Sequence, residues 1–234
     1  MIPGRLIGVG VGPGAPDLLT LRAARLIEGA RVLAYPTLAG SPSFARSIAA
    51  AHVRDGAEEI AIDIPMTPAR APAQAAYDAG AERIAARLEQ GQDVVCLCEG
   101  DPMFYGSFMY LQARLAPRFP TEVVPGVTSV AAAAALARLP LGAREGRIAV
   151  LPATLPDEAL RAGFASHETV AVLKLGRHFA RVRALIDDLG LTERVTYVAR
   201  ATLAEEVVLP LAHAPSEAPY FSLLLVSKDS DPWL

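Results

Sequence analysis

Two carboxylates, Glu99 and Asp101, stand in one short turn, residues 99–107, directly after an apolar run at 93–98. The run predicts a buried strand, and ligands of open α/β sheets bind at the carboxyl ends of strands. Neighbouring carboxylates suit acid–base chemistry, whereas an Asp before Pro often bonds the backbone of its own turn. We favour the second role for Asp101. Gly100 permits close approach to the main chain, so the turn is interpreted as the floor of a small-molecule site. Whether Tyr105 faces core or cleft stays open.

A second glycine-rich turn, residues 10–15, follows the first predicted strand and formally satisfies the dinucleotide fingerprint G-x-G-x-x-A. That fingerprint needs a helix to begin inside it, facing a pyrophosphate. Here Pro13 and Pro16 occupy the turn, Thr20 is the predicted N-cap of the next helix, and the following strand ends at 34–36 without an acidic residue. A nicotinamide oxidoreductase is therefore disfavoured. The turn either packs against another ligand or is purely structural.

Two further strand ends contain polar residues. In Pro125–Ser129 the hydroxyls of Thr128 and Ser129 suit helix capping and, equally, ligand contact. In Lys174–His178 the side chains of Arg177 and His178 suit substrate carboxylates, or simply a solvated helix start.

Composition restricts the function class. The chain has 234 residues, a net charge of −3 and 52% hydrophobic residues, so its main partner is not expected to be a nucleic acid. We see no signal peptide and no apolar run long enough to cross a membrane, and expect a soluble, cytoplasmic protein. Cys96 and Cys98 are expected to be small buried residues, and the scattered histidines suggest no metal site.

Strand-like and helix-like segments alternate along the chain, which predicts an α/β fold in two domains, 1–125 and 126–234. The first should contain a mostly parallel sheet. The second should be mixed, because strands 207–210 and 220–227 have no helix-length segment between them and favour an antiparallel hairpin. Residues 66–73 read as an exposed loop before a helix that starts at Ala75.

Four motifs occur in a fixed order and together resemble the tetrapyrrole (corrin/porphyrin) methyltransferases over essentially the whole chain. They are Gly10–Gly14 with Leu19-Thr20, Glu99–Pro102, Pro125–Ser129 and Lys174–Arg177. Each motif alone is weak, but four in this order are specific. Within the family, residues 100–107, 173–177 and 219–222 are most similar to members that methylate precorrin-2 at C-20 in cobalamin synthesis.

The resemblance implies the class III methyltransferase fold, with S-adenosylmethionine in a groove between the two domains, S-adenosylhomocysteine as product and no metal. The residues implied or expected near the cofactor lie in both halves of the chain: Pro13, Glu99, Gly100, Asp101, Met103, Tyr105, Thr128, Ser129, Leu175 and Ala201. Glu99 replaces a glycine of some relatives, so its side-chain role is not transferred from them.

The implied reaction converts precorrin-2 to precorrin-3A. No base is identified, and Glu99, Asp17, Tyr35 and a macrocycle nitrogen all remain open. The candidates for contacting the substrate are Tyr35, Arg70, Arg144, Arg177 and His178. The family usually forms homodimers, and no nucleic acid or membrane partner is expected. The alternatives are cobalt-precorrin-2, RNA or a protein as substrate, and a binding domain without catalysis.

Overall fold

The structure is a computed structural model that describes residues 2–38, 40–65, 67 and 69–228. The chain divides into two compact units, Met1–Thr128 and Ser129–Leu234. Each unit contains one five-stranded sheet. The predicted α/β class, with a parallel first sheet and a mixed second sheet, is confirmed.

The first unit alternates strands and helices from its first strand to its last. Its elements are β1 (Leu6–Gly10), α1 (Leu21–Gly29), β2 (Val32–Leu38), α2 (Phe44–Ile48), β3 (Glu58–Ile64), α3 (Arg70–Glu89), β4 (Val94–Cys98), α4 (Phe108–Leu115) and β5 (Thr121–Val124). The strand order is β3-β2-β4-β1-β5, and every pair is parallel. As predicted, Thr20 caps α1 by accepting a hydrogen bond from the Ala23 amide.

Both faces of this sheet are covered. On β4, Cys96 and Cys98 pack with α3 and α4 on one face, whereas Val95 and Leu97 pack with α1 and α2 on the other. All five residues of β1 and of β4 are buried, as expected for strands in the middle of a parallel sheet. The central strands are therefore fixed by packing on both sides, and their ends are well-defined places for a site.

Three local predictions in this unit are wrong. β2 does not end before Pro36 but continues to Leu38, because its pairing with β4 stops at Ala34 and a proline is tolerated beside a free edge. α3 begins at Arg70 and not at the predicted Ala75. Pro72 lies in its first turn, where backbone amides make no hydrogen bond within the helix, so a proline is tolerated there. The predicted loop at 66–73 is wrong from Arg70 on, because residues 70–73 belong to α3. Residues 66 and 68 lie outside the described residues.

The second unit begins with a helix, then alternates strands and helices, and ends with three strands in succession. Its elements are α5 (Ser129–Ala137), β6 (Ile148–Pro152), α6 (Asp157–Ser166), β7 (Thr169–Leu173), α7 (Phe179–Asp188), β8 (Val195–Ala199), β9 (Val207–Pro210) and β10 (Ser222–Ser227). The strand order is β6-β7-β10-β8-β9. The core of this unit lies on the face covered by α6 and α7, around Phe164, Phe179 and Tyr197.

The predicted hairpin of the last two strands is wrong. β10 lies between β7 and β8, antiparallel to both, while β9 pairs with β8 at the edge. The apolar sequence of β10 explains this position, because Leu223–Val226 is buried throughout, whereas β9 is only partly buried. A strand buried on both faces belongs in the middle of a sheet.

None of the helices among the described residues is long and apolar enough to cross a membrane.

Candidate functional site

Three of the four motifs lie at the carboxyl ends of three adjacent strands, β4, β1 and β5. The turns after β1 and β4 are joined by an isolated antiparallel bridge. The Gly12 amide donates to the Gly100 carbonyl at 3.2 Å, and the Gly100 amide donates to the Gly12 carbonyl at 2.8 Å. Both glycines have positive φ, +81° and +62°, which other residues rarely adopt. The chain therefore brings Pro13 and the 99–101 turn to one edge.

The closest backbone approaches in this edge involve two glycines that sequence reasoning did not single out. A Cβ on Gly126 would lie 2.1 Å from the Gly100 carbonyl oxygen, and one on Gly10 would lie 2.6 Å from the Gly126 amide nitrogen. At Gly100 itself a Cβ would meet no described atom closer than 3.8 Å. Positive φ selects glycine at 100, whereas lack of space selects it at 10 and 126. The sequence feature that could have identified Gly10 and Gly126 is the presence of a glycine at the end of each of these strands.

The Asp101 carboxylate holds two of these turns together. Its Oδ1 accepts from the Met103 amide at 2.8 Å, and its Oδ2 accepts from the Gly126 amide at 3.0 Å. The first bond confirms the expected local role in its own turn. The second ties the turn after β4 to the turn after β5. Asp101 is thus a positioning residue, with both carboxylate oxygens engaged.

Glu99 is partly buried at the end of β4, and desolvation raises the pKa of its carboxyl. Among the described residues no side chain forms a hydrogen bond or ion pair with it. A carboxylate with a raised pKa and no partner is better able to accept a proton than an ordinary exposed one. Of the two carboxylates in the turn, Glu99 is therefore the one with capacity for chemistry.

The same turn presents two large side chains at the surface. Met103 is 53% exposed and Tyr105 is 46% exposed, so Tyr105 does not belong to the core. Its φ is +56°, which is unusual for a residue with a side chain. Exposed apolar groups on a strained turn beside a cluster of close-packed glycines are typical of ligand contacts.

Tyr35, the second candidate base, is engaged elsewhere. Its hydroxyl donates to Glu59 Oε2 at 2.6 Å, and Arg46 binds both oxygens of the same carboxylate at 2.7 and 3.0 Å. Burial, then the bond to Glu59, raises the pKa of Tyr35 to about 12. Such a phenol donates hydrogen bonds at neutral pH rather than accepting protons. Asp17, the third candidate, is exposed in a short 3-10 helix, Pro16–Leu18.

Two of the remaining cofactor candidates, Leu175 and Ala201, follow strands of the second unit's sheet. β7 and β8 both flank β10 antiparallel to it, so their carboxyl ends lie on the same side. Leu175 follows β7 and is fully buried, and Ala201 follows β8 and is partly buried. Lys174 and Arg200, the residues just before them, have φ of +58° and +51°. Thr128 and Ser129 stand at the start of α5, with Ser129 its first residue.

The predicted substrate-contacting residues are not gathered in one place within either unit. Arg70 is exposed at the first residue of α3. Arg144 is exposed between α5 and β6, with φ of +49°. Arg177 and the partly buried His178 form a short 3-10 helix after β7, and their side-chain nitrogens lie 3.5 Å apart.

The edge of the first sheet suits binding of a ligand by backbone groups. It consists of turns packed to van der Waals limits and includes one partly buried carboxyl, that of Glu99. α1 starts at Leu21, well after the glycine turn, so no helix N-terminus faces a pyrophosphate there. Among the described residues no group of three histidine, cysteine or acidic side chains is placed to hold a metal ion.

The chain belongs to the tetrapyrrole (corrin/porphyrin) methylases, whose sequence model matches residues 5–214. This is an S-adenosylmethionine-dependent methyltransferase family, and the fold is the class III methyltransferase fold implied by the resemblance.

Three relatives define its place within the family. The chain is 39% identical to the precorrin-2 C(20)-methyltransferase of Sinorhizobium, over 95% of each chain. It is 33% identical to the cobalt-precorrin-2 C(20)-methyltransferase of Salmonella typhimurium, over 96% of this chain and 97% of that one. Among solved structures, the uroporphyrin-III C-methyltransferase of Thermus thermophilus, complexed with S-adenosylhomocysteine, matches with a TM-score of 0.68 and 27% identity over 96% of this chain and 98% of that one.

Proposed function

We propose that the protein transfers the methyl group of S-adenosylmethionine to C-20 of precorrin-2, giving precorrin-3A in cobalamin biosynthesis. The observation that supports this most directly is the joining of the turns after β4, β1 and β5 by the Gly12–Gly100 bridge and the Asp101–Gly126 bond. The two relatives that span the whole chain are named for C-20 methylation of precorrin-2 or its cobalt form.

The geometry suits the reaction. S-adenosylmethionine already has an activated methyl group, so the enzyme mainly has to align that methyl with the attacking carbon. Rigid turns achieve this better than mobile side chains. The cofactor would lie along backbone groups of Pro13, the 99–101 turn and Thr128, with Met103 and Tyr105 beside it; Ser129, Leu175 and Ala201 are its proposed contacts in the second half.

Methylation of a bridging carbon leaves a proton to be removed. We assign this step to Glu99, because its carboxyl is partly desolvated and has no partner among the described residues. The high pKa of Tyr35 makes it a hydrogen-bond donor to substrate at most. Asp17 is exposed in a short 3-10 helix and is not assigned this step.

The acid side chains of a precorrin need cationic partners. Arg70, Arg144, Arg177 and His178 are the proposed ones, and guanidinium groups suit carboxylates because they bind both oxygens at once. We further propose that the enzyme is a cytoplasmic homodimer that needs no metal.

The decisive experiment is incubation of the pure protein with S-adenosylmethionine and precorrin-2 under anaerobic conditions, with cobalt-precorrin-2 in a parallel reaction. The product should gain one methyl group at C-20, as shown by mass spectrometry and by NMR with a labelled methyl donor. Binding of S-adenosylhomocysteine without methylation of either substrate would instead support a binding domain without catalysis. The faster of the two substrates identifies the route in which the enzyme works.

A further inference from the structure

A cavity lies at the opposite edge of the first sheet, at the amino ends of β1 and β4. Its volume is about 420 Å³, which is within the range of small-ligand sites. The five-residue strands β1 and β4 separate it by roughly 15 Å from the carboxyl edge described above. It is therefore a different place from the proposed methyl-transfer site.

The lining is basic. Three arginines, Arg5, Arg25 and Arg31, line the cavity against one acidic residue, Asp93. Arg5 is already neutralised, because it donates to Asp93 at 2.7 Å and to Glu122 at 3.0 Å. By contrast, within the described part of the chain the guanidinium groups of Arg25 and Arg31 have no ion pair and no hydrogen bond. Two cations at one cavity are thus available to an acid group.

The remaining wall is apolar. It consists of Ile7, Leu26, Ala30 and Val95, of which Ile7, Ala30 and Val95 are buried in the core. The nearby carbonyl end of α1 disfavours an anion, but the effect of a nine-residue helix is weaker than that of two guanidinium groups. We propose that this cavity binds a small organic anion through its phosphate or carboxylate group, which lies on Arg25 and Arg31.

Isothermal titration calorimetry of the full chain tests the proposal with two probes, ribose 5-phosphate and citrate. At least one should bind at one site per chain with a Kd of about 1 mM or tighter. Binding of ribose 5-phosphate alone identifies the phosphate source, and binding of citrate alone identifies the carboxylate source. Ribose, which lacks the acid group, should bind about tenfold more weakly. The absence of binding by both probes overturns the proposal.

A double variant tests the contact with the acid group. Arg25→Gln with Arg31→Gln should weaken binding of the probe about tenfold or more. The matched control is Arg54→Gln with Arg194→Gln, which removes two exposed charges outside the cavity. An equal loss of affinity in this control would mean that the change in net charge alone explains the effect, and it would refute the site. Unchanged affinity for S-adenosylhomocysteine in the Arg25/Arg31 variant verifies that its fold is intact.

Discussion

Gly12 and Gly100 exchange two backbone hydrogen bonds, of 3.2 and 2.8 Å, although the strands that precede them are parallel. The two turns therefore double back into a short antiparallel pair just beyond the sheet edge. This fixes the main chain directly after Glu99 and directly before Pro13 through backbone bonds alone. A cofactor held by such an edge contacts atoms whose positions depend on glycine at particular places.

Gly126→Ala tests that dependence. A Cβ would lie 2.1 Å from the Gly100 carbonyl oxygen, and backbone cannot move aside cheaply. We expect a loss of about 3 kcal/mol in the free energy of unfolding, the upper part of the range for overpacking, and loss of S-adenosylhomocysteine binding by calorimetry.

Gly29→Ala is the matched control, because a Cβ at this helical position meets nothing within 4 Å. It should be neutral or stabilise by about 0.5–1 kcal/mol. Equal urea midpoints for Gly126→Ala and wild type would contradict the close packing of the three turns.

Asp101→Asn should loosen the link between the turns after β4 and β5. The amide keeps one acceptor oxygen, so one of the two backbone amides, Met103 or Gly126, faces an NH2 group instead. We expect about 1–2 kcal/mol of destabilisation and a weaker affinity for S-adenosylhomocysteine. Asp55→Asn, at an exposed turn, should change neither. A variant that binds the cofactor normally but transfers no methyl would instead make Asp101 a chemical participant.

Glu99→Gln separates stability from catalysis. Burial raises the pKa of Glu99 in the folded chain, so the folded state binds more protons than the unfolded state between the two pKa values. Stability is therefore lost as pH rises through that window. Relative to wild type, the variant should have a higher Tm at about pH 8 and the same Tm at about pH 4, because glutamine has no charge to desolvate.

The same variant should lower kcat by about 10²–10⁴-fold if Glu99 accepts the proton, and it should leave the affinity for S-adenosylhomocysteine within about twofold. Tyr35→Phe, which removes only the bond to Glu59, is the comparison. A larger kcat loss in Tyr35→Phe than in Glu99→Gln would reverse the assignment of the base.

The two cysteines should be inert in the native protein. Cys96 and Cys98 are free and buried, and burial raises the pKa of both thiols. Since the thiolate is the reactive form, iodoacetamide at about pH 8 should modify neither residue until denaturant is added, when mass spectrometry should show both labelled. Rapid labelling of native protein would mean that β4 opens far more readily than its packing implies.

The α/β class and most elements were predictable because apolar runs and turn residues alternate regularly along the chain. β9 has the predicted bounds, and Thr20 caps α1 as its residue type suggests. The errors arose where tertiary context overrides a local rule. Pro36 predicts a strand end, but β2 is paired only with β3 at this residue, so the missing amide hydrogen of the proline costs no hydrogen bond to a second strand.

The position of β10 depends on which strand has enough apolar residues for the middle of the sheet, which chain order does not reveal. At the site, motif order indicated which turns matter but not how they meet. That Gly10 and Gly126 are needed for space, and Gly100 for its φ, depends on distances between turns far apart in sequence.

The central position of β10 in its sheet has a consequence for how the chain folds during translation. It follows β6, β7, β8 and β9 in the chain, yet it supplies the inner edges of both β7 and β8. During translation those edges of β7 and β8 remain unpaired. The second sheet is complete only after Ser222–Ser227 has emerged from the ribosome. The first sheet, complete by Val124, is free to form well before then, so a stalled nascent chain should display a folded first unit attached to an unfinished, chaperone-dependent second one.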